Sequence, residues 1–256
     1  MKIARRAPSR VGRLLDEPLA LGGFAPRRLR VYLPAGHDER DLRPLLVLFD
    51  GQNVFDHASS FSGGWLAHEA VERLARRRPH PIVVGVEHGE EARLSELSPW
   101  PVKGQPGRAR EFVGALARDV VPALRRRFRI VDGPLGVLLG GSSMGGLAAT
   151  YGHLTHPESF GGALAMSPSF WVGATRLLSL VQTCPAPPVS QIYLDCGRAE
   201  GDGELAPLVE RVASALRARG WGDDRLCLRV DPRGAHSESS WRRRLVPALR
   251  WFYRAG

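Results

Sequence analysis

Residues 141–145 of this 256-residue chain read Gly-Ser-Ser-Met-Gly, a G-x-S-x-G pattern. An apolar run over residues 135–139 precedes it, and a helical pattern of small residues over 147–153 follows it. That context is typical of a nucleophile elbow, in which the two glycines let the strand and helix backbones approach closely. The alternative is an ordinary glycine-rich turn. If the elbow forms, the hydroxyl of Ser143 projects above the sheet at the start of the helix.

Short apolar runs alternate with helical patterns along the rest of the chain, and this alternation predicts the fold class. Residues 45–49, 82–86 and 191–196 are typical of strands buried on both faces of a sheet. We therefore expect an α/β protein with a mostly parallel sheet and helices on both faces. No internal repeat or composition shift marks a second domain, so we expect one domain over residues 1–256. The weakly patterned residues 1–27 predict an edge strand or an arm.

The composition limits the classes of protein that need to be considered. A hydrophobic content of 43% and a charged content of 24% are those of a soluble globular protein. No apolar run approaches the roughly 18 residues that span a bilayer, so no membrane association is expected. The basic N-terminus is not followed by an apolar segment of the secretory type, and this favours a cytoplasmic location.

The formal net charge of +10 comes almost wholly from arginine. Arginine runs occur at residues 76–78, 125–127 and 242–244, each near the end of a predicted helix, and we interpret them as solvated helix faces. No single element combines such a run with interleaved aromatic residues, so a nucleic-acid partner is not expected. A basic surface does favour an anionic substrate. The sequence leaves the oligomeric state open.

A serine nucleophile needs a neighbouring base and a third group that orients the base. In sheets of this type the partners follow later strands, in the order serine, acid, histidine. Of the eight histidines, His236 is the one that lies just past a strand pattern and follows both the elbow and an acid-bearing loop. Glu200 and Asp202 share that loop, and either could serve as the acid. Asp195, still within the strand pattern, is a weaker third candidate.

Ester cleavage also needs two hydrogen-bond donors for the oxyanion of the tetrahedral intermediate. In this architecture one donor is the amide after the nucleophile, here Met144, and the other comes from the turn after the third strand. That turn reads Asp50-Gly51-Gln52, so we expect the Gln52 amide to be the second donor. The alternative is that the turn is an ordinary tight turn with no functional role.

Five segments together resemble the esterase family that includes esterase D, enterochelin (ferric-siderophore) esterases and feruloyl or acetyl carbohydrate esterases. They follow one another in the family's order from about residue 28 to the C-terminus. The resemblance implies an α/β-hydrolase fold with about eight strands and a Ser-acid-His triad, and it implies no metal and no other cofactor. The segments are residues 48–56, 141–146, 167–171, 195–200 and 234–241.

The resemblance also assigns roles by position. It makes Ser143 the nucleophile and His236 the base, with Glu200 as the acid because it lies three residues after the glycine that ends its strand. Asp202 remains the alternative acid, and some siderophore esterases resemble a Ser-His dyad in which the acid matters little. Gln52 and Met144 match the oxyanion amides.

Two further residues match family positions near the substrate. Residues 87–108 contain three prolines and predict a long irregular loop. Arg93 lies in this loop together with Glu96, and it either braces the site or contacts substrate. Trp171 either lines the substrate pocket or packs in the core. Ser237 stands where the family often has asparagine.

The resulting functional hypothesis is a serine carboxyl-ester hydrolase that acts through an acyl-enzyme. The expected partner is a small-molecule ester, either an anionic siderophore of the enterochelin type or an acylated carbohydrate. Two alternatives remain: an acyltransferase that uses the same covalent intermediate, and a catalytically inactive binding protein on the same scaffold.

Overall fold

The computed structural model describes residues 11–38, 40–60, 63–74 and 80–254. Within these ranges the chain forms an eight-stranded sheet with helices on both faces. The strands are β1 (Arg13–Leu19), β2 (Arg27–Leu33), β3 (Leu45–Phe49), β4 (Ile82–Val86), β5 (Val137–Ser142), β6 (Gly162–Met166), β7 (Gln191–Gly197) and β8 (Leu226–Asp231).

The strand order in the sheet is β1-β2-β4-β3-β5-β6-β7-β8. β1 pairs with β2 and β2 with β4 in antiparallel orientation, and every other neighbouring pair is parallel. The carboxyl ends of β3 to β8 therefore meet at one edge of the sheet. The predicted α/β fold with about eight mostly parallel strands is confirmed.

The helices divide between the two faces of the sheet, and β3 shows why both faces must be covered. Leu45, Val47 and Phe49 belong to one buried cluster, which includes residues of α3 to α7. Leu46 and Leu48 belong to a second cluster, with residues of α1 and α8. The helices are α1 (Ala67–Glu72), α2 (Arg93–Leu97), α3 (Ala109–Ala115), α4 (Val121–Arg127), α5 (Met144–Thr155), α6 (Ala174–Thr183), α7 (Leu205–Ala218) and α8 (Glu238–Phe252).

The N-terminal segment provides an edge strand, as one of the two expectations for residues 1–27 proposed. β1 pairs along its whole length with β2, from Arg13 opposite Leu33 to Leu19 opposite Arg27. Residues 1–10 lie outside the described part of the chain. No helix in the described ranges combines the length and the apolar character that crossing a bilayer requires.

The expectation of a long irregular loop over residues 87–108 is partly wrong, because α2 and a short 3-10 segment lie inside it. Glu96 of α2 accepts two hydrogen bonds from the buried Arg27 guanidinium, at 2.7 and 2.8 Å, and a third from the Gly89 amide at 2.9 Å. Arg27 is 69 residues away in sequence. Such a distant partner leaves no local pattern, so the sequence alone could not indicate this helix.

Candidate active site

Ser143 occupies a sharp turn between β5 and α5. Its backbone has φ 54° and ψ −120°, a conformation that costs a non-glycine residue about 1–3 kcal/mol. A Cβ atom on Gly141 would lie 2.7 Å from the carbonyl carbon of Gly145, so the first glycine of the pattern is needed for the two backbones to pass each other. The strand–turn–helix context that the G-x-S-x-G pattern predicts is present.

Backbone strain recurs at the carboxyl ends of three neighbouring strands. Asp50 after β3, Ser143 after β5 and Ser167 after β6 have φ values of 57°, 54° and 43°. β3, β5 and β6 are adjacent in the sheet, so the three strained residues share one edge. Strain of this kind persists where the surrounding structure over-determines the backbone, and it clusters at functional sites.

A continuous chain of hydrogen bonds links Ser143, His236 and Glu200. The Ser143 Oγ atom lies 3.0 Å from His236 Nε2, and His236 Nδ1 lies 2.9 Å from Glu200 Oε2. The carboxylate can only accept when ionised, so Nδ1 carries the proton and Nε2 is free to accept the serine proton. The imidazole is 46% exposed, whereas the Glu200 side chain is 2% exposed. The site is therefore open at the imidazole, half-buried at the serine and closed at the acid.

The surroundings of Glu200 keep its carboxylate charged. Burial pushes the pKa of Glu200 up, but hydrogen bonds from His236, the Gly197 amide and Ser167, together with the Arg244 charge, outweigh burial and hold the pKa below its usual range. The Gly197 amide donates to Oε1 at 2.7 Å, and the Ser167 hydroxyl donates to the same atom at 2.9 Å. Oε2 is thereby left to face the imidazole.

The two other candidate acids lie elsewhere. Asp202 is exposed, in a left-handed turn with φ 53°, and the carboxylate that pairs with His236 is that of Glu200. Asp195 is buried, and its Oδ1 lies 3.4 Å from the Arg244 guanidinium. Burial raises the pKa of Asp195 to about 7. The positive charge of Arg244 opposes this rise, and the negative charge of Glu200 adds to it. The structure brings Glu200, rather than either aspartate, to the imidazole.

The two candidate oxyanion amides lie at helix starts. Met144 is the first residue of α5 and Gln52 is the second residue of the 3-10 segment Gly51–Asn53, where N–H groups have no acceptor within the helix. A Cβ atom on Gly145 would lie 3.4 Å from Asp50 Oδ2, so the turn after β3 touches the start of α5. Both amides thus lie beside the serine turn.

Side chains hold the Gln52 turn in place. The Ser59 hydroxyl donates to the Gln52 carbonyl oxygen at 2.7 Å, and the His88 amide donates to Gln52 Oε1 at 3.3 Å. Arg93 donates to both oxygens of Asp50, at 2.7 and 2.8 Å. Of the two roles expected for Arg93, the structure shows the bracing contact with Asp50, while the guanidinium remains partly exposed.

Trp171 lies in the segment that follows β6, and it is 57% exposed. The alternative that Trp171 packs in the core is therefore excluded. A Cβ atom on the nearby Gly173 would lie 2.7 Å from the ring of Trp100, so the Trp100 indole packs against the backbone of this segment. Trp171 offers a flat apolar surface on the edge of the sheet that carries Ser143.

Sequence reasoning missed the part of the site that α8 supplies. Arg244, which the sequence placed in a solvated arginine run, is only 6% exposed, and its guanidinium contacts Ser167, Asp195 and Glu200. Trp241 packs its ring edge-on against His236, with centroids 5.0 Å apart. Residues 241, 244, 245 and 248 all lie on the buried face of α8, and this helical spacing was the available signal for Arg244.

A positively charged groove of about 880 Å³ runs along α8, and none of Ser143, His236 and Glu200 lines it. Arg73, Arg242, Arg243 and Arg250 line it, together with His57. Arg73 and Arg242 share one carboxylate, Glu69, at 3.4 and 3.3 Å, and Arg243 pairs with Asp231 at 2.9 Å. Four guanidinium groups therefore face two carboxylates, which leaves the groove with excess positive charge. Ser239, three residues after His236, also lines it.

The fold and this arrangement define an α/β-hydrolase whose Ser143, His236 and Glu200 form one hydrogen-bonded chain. The chain belongs to the family described as "Putative esterase", whose model matches residues 25–252. The resemblance drawn from the five sequence segments is thereby confirmed. Membership of an esterase family places this protein among the carboxylic ester hydrolases.

Three similar proteins illustrate the range of relatives. YbbA, an uncharacterized protein of Bacillus subtilis, is 23% identical over 242 residues, which cover 89% of this chain and 92% of YbbA. The iron(III) enterobactin esterase of Dickeya dadantii is 28% identical over 242 residues, which cover 88% of this chain and 51% of that protein. The crystal structure of the Shigella flexneri enterobactin esterase in the presence of enterobactin has the same fold, with a TM-score of 0.77 at 21% identity. The superposition covers 96% of this chain and 60% of the Shigella flexneri protein. This chain therefore spans only about half to three fifths of the length of the two enterobactin esterases.

Proposed function

We propose that this protein is a serine carboxyl-ester hydrolase in which Ser143 is the nucleophile, His236 the general base and Glu200 the acid that orients the base. The observation that carries the proposal is the hydrogen-bond chain from Ser143 Oγ through both imidazole nitrogens to a buried carboxylate. The three residues come from distant parts of the sequence, and the fold brings them together at one edge of the sheet. This convergence supports a catalytic role for the three side chains.

In the proposed reaction the Ser143 oxygen attacks the ester carbonyl carbon while His236 Nε2 takes the hydroxyl proton. The amides of Gln52 and Met144 donate hydrogen bonds to the oxyanion of the tetrahedral intermediate. The intermediate collapses as His236 returns the proton to the leaving alcohol, which gives an acyl-enzyme. A water molecule, deprotonated by His236, then attacks the acyl carbon. The bond from that carbon to Ser143 Oγ breaks as His236 returns the proton to the serine oxygen, and the carboxylic acid is released.

The charge of Glu200 supports this cycle. An ionised carboxylate on Nδ1 stabilises the imidazolium that forms at each proton transfer, and it also fixes the tautomer that leaves Nε2 able to accept. The lowered pKa of Glu200 keeps the group ionised throughout the neutral pH range. Arg93 is assigned a positioning role in this scheme, because its two bonds hold Asp50 at the head of the oxyanion turn.

The substrate class that the surroundings favour is an anionic, catecholate-like ester of the siderophore type. In this proposal the exposed Trp171 stacks on an aromatic ring of the substrate. The arginine groove along α8 attracts negatively charged groups on parts of the substrate that are remote from the ester bond. The enterobactin esterase of Dickeya dadantii is a relative along most of this chain, which supports the same class. Acylated carbohydrates would use the same chemistry but would gain nothing from the excess positive charge.

The test of the reaction uses Ser143→Ala with p-nitrophenyl acetate and a fluorophosphonate probe. We expect the wild type to turn over and to be labelled once, at Ser143, and the variant to lose both properties. Turnover retained by the variant would defeat the assignment of the nucleophile. For the substrate class, hydrolysis of a catecholate trilactone is compared with that of acetylated sugars, and a higher kcat/KM for the sugars would contradict the siderophore proposal.

A further inference from the structure

The hydroxyl group of Ser167 lies at the meeting point of three functional side chains. Ser167 directly follows β6 and is fully buried. Its Oγ atom lies 2.9 Å from Glu200 Oε1, 2.9 Å from Trp241 Nε1 and 2.8 Å from Arg244 Nη2. None of these partners is close to it in sequence.

The direction of these hydrogen bonds follows from the chemistry of the partners. An indole N–H and a guanidinium N–H can only donate, so Trp241 and Arg244 occupy both lone pairs of the Ser167 oxygen. The single hydroxyl proton is then left for Glu200, whose ionised carboxylate can only accept. The hydroxyl is therefore locked as a donor to Oε1, and two side chains of α8 hold it there.

This lock divides the two oxygens of Glu200 between different tasks. Oε1 receives the Ser167 hydroxyl and the Gly197 amide, with Arg244 at 3.5 Å, while Oε2 meets the imidazole Nδ1. We propose that Ser167 is a positioning residue of the active site, which fixes the plane of the Glu200 carboxylate so that Oε2 points at His236. The inference rests on the proposed function, because it gives Ser167 a role only if Glu200 orients the base.

The backbone of Ser167 is strained, as is common for residues at functional sites. Its φ of 43° is strained for a residue with a Cβ atom, and its amide donates to the Asp195 carbonyl oxygen at 2.7 Å. The same Trp241 that donates to the hydroxyl packs edge-on against the His236 ring. One side chain of α8 thus touches the base directly and acts on the acid through Ser167.

The chain offers a matched control in Ser190. Its hydroxyl is also buried, accepts from an indole, Trp221 Nε1, at 2.7 Å, and lies 2.6 Å from a histidine ring nitrogen, His153 Nε2. Ser190 precedes β7, at the opposite edge of the sheet from Glu200. Replacing either serine with alanine removes the same kind of buried bond, but only one replacement affects the carboxylate.

The experiment compares Ser167→Ala with Ser190→Ala in the full chain, by p-nitrophenyl acetate kinetics and by the downfield ¹H resonance of the His236 Nδ1 proton. For Ser167→Ala we expect kcat per folded molecule to fall roughly tenfold with KM within about twofold, and the resonance to move upfield as its hydrogen bond weakens. Ser190→Ala should leave both unchanged. Equal kcat values for the two variants, with an unmoved resonance, would overturn the proposal.

A second variant covers the case in which Ser167→Ala does not fold. Trp241→Phe keeps an aromatic ring against His236 but removes one of the two donors that lock the hydroxyl. We therefore expect a smaller loss of kcat than for Ser167→Ala, with KM within about twofold. An unchanged kcat in this variant would overturn the proposal. Failure of the proposed function would give a different result. In that case Ser143→Ala would retain turnover, whatever the Ser167 variants show.

Discussion

The guanidinium of Arg93 and the carboxylate of Asp50 form two parallel hydrogen bonds, from Nε to Oδ1 at 2.7 Å and from Nη2 to Oδ2 at 2.8 Å. Asp50 has left-handed backbone angles, with φ 57° and ψ 49°, and it heads the turn that presents the Gln52 amide. The pair therefore holds a strained residue at the start of the turn that carries Gln52, the proposed oxyanion donor. Planar two-point recognition of this kind is what arginine provides and lysine does not.

Arg93→Lys should consequently lower kcat by about 10- to 100-fold, since a misplaced oxyanion donor costs transition-state stabilisation. KM should stay within about twofold for neutral and anionic esters alike. Steady-state kinetics with one ester of each kind checks this, with Arg118→Lys as the control, because Arg118 forms the same two-point pair with an exposed carboxylate, Asp119. A rise in KM confined to anionic esters would instead show that Arg93 contacts substrate.

Glu200→Gln should reduce kcat by roughly 10³- to 10⁴-fold, because an amide can donate to Nδ1 and so select the tautomer in which Nε2 cannot accept. Asp202→Asn removes the neighbouring carboxylate of the same loop and should change kcat by less than about twofold, since that side chain is exposed. Comparable losses in the two variants would refute the assignment of the acid.

Gly141→Ala should destabilise the protein by about 3 kcal/mol, because its Cβ would meet backbone atoms of Gly145 at 2.7 to 2.9 Å, and backbone cannot move aside cheaply. Gly22→Ala is the control, because a Cβ there meets nothing within 4 Å, and its effect should stay within about 0.5 kcal/mol. Urea unfolding of the two variants makes the comparison, and equal midpoints would show that the elbow tolerates a side chain.

Arg250→Gln should raise KM for an anionic ester by about three- to fivefold and leave KM for p-nitrophenyl acetate unchanged, because it removes a guanidinium from the groove along α8. Added salt should reduce the difference. Arg211→Gln removes an exposed charge from α7, which packs on the other face of the sheet, and should have no effect. Identical behaviour of the two variants would exclude the groove from substrate binding.

The buried His153 should make stability depend on pH. Burial lowers the pKa of His153 from 6.5 to about 4, and the carbonyl of Phe160, 2.8 Å from Nδ1, opposes burial only in part. As pH falls from 6.5 to 4 the unfolded chain takes up a proton that the folded chain does not, so the folded state should lose about 3 kcal/mol.

Denaturant unfolding at several pH values measures this loss. His153→Asn should lose the dependence that His153 contributes, while His156→Asn, at a partly exposed histidine of the same region, should retain it. The prediction fails if wild type and His153→Asn show parallel stability curves between pH 6.5 and 4.

Local sequence patterns predicted the strands and the serine turn. They failed for residues whose side-chain partners lie far away in the sequence. Residues 45–49 and 82–86 became strands with the predicted bounds, because burial on both faces demands an unbroken apolar run. α2 was missed because its anchor, the Arg27–Glu96 pair, joins residues 69 positions apart. Arg244 was wrongly predicted to be solvated because its neighbour Arg243 is exposed and Arg242 is half-buried, and adjacent helical residues point in different directions.

The chain's own sequence determined the class of fold and the three residues of the elbow that must be glycine or serine, since apolar periodicity and backbone sterics act between near neighbours. Only the tertiary structure brought Glu200 rather than Asp202 to the imidazole. It also left Trp171 at the surface and turned Ser167 and Arg244 toward the Glu200 carboxylate. Two acids in one loop have almost the same local sequence environment. What distinguishes them is which one the parallel strands β6, β7 and β8 enclose together with α8, and that depends on contacts between segments far apart in the chain.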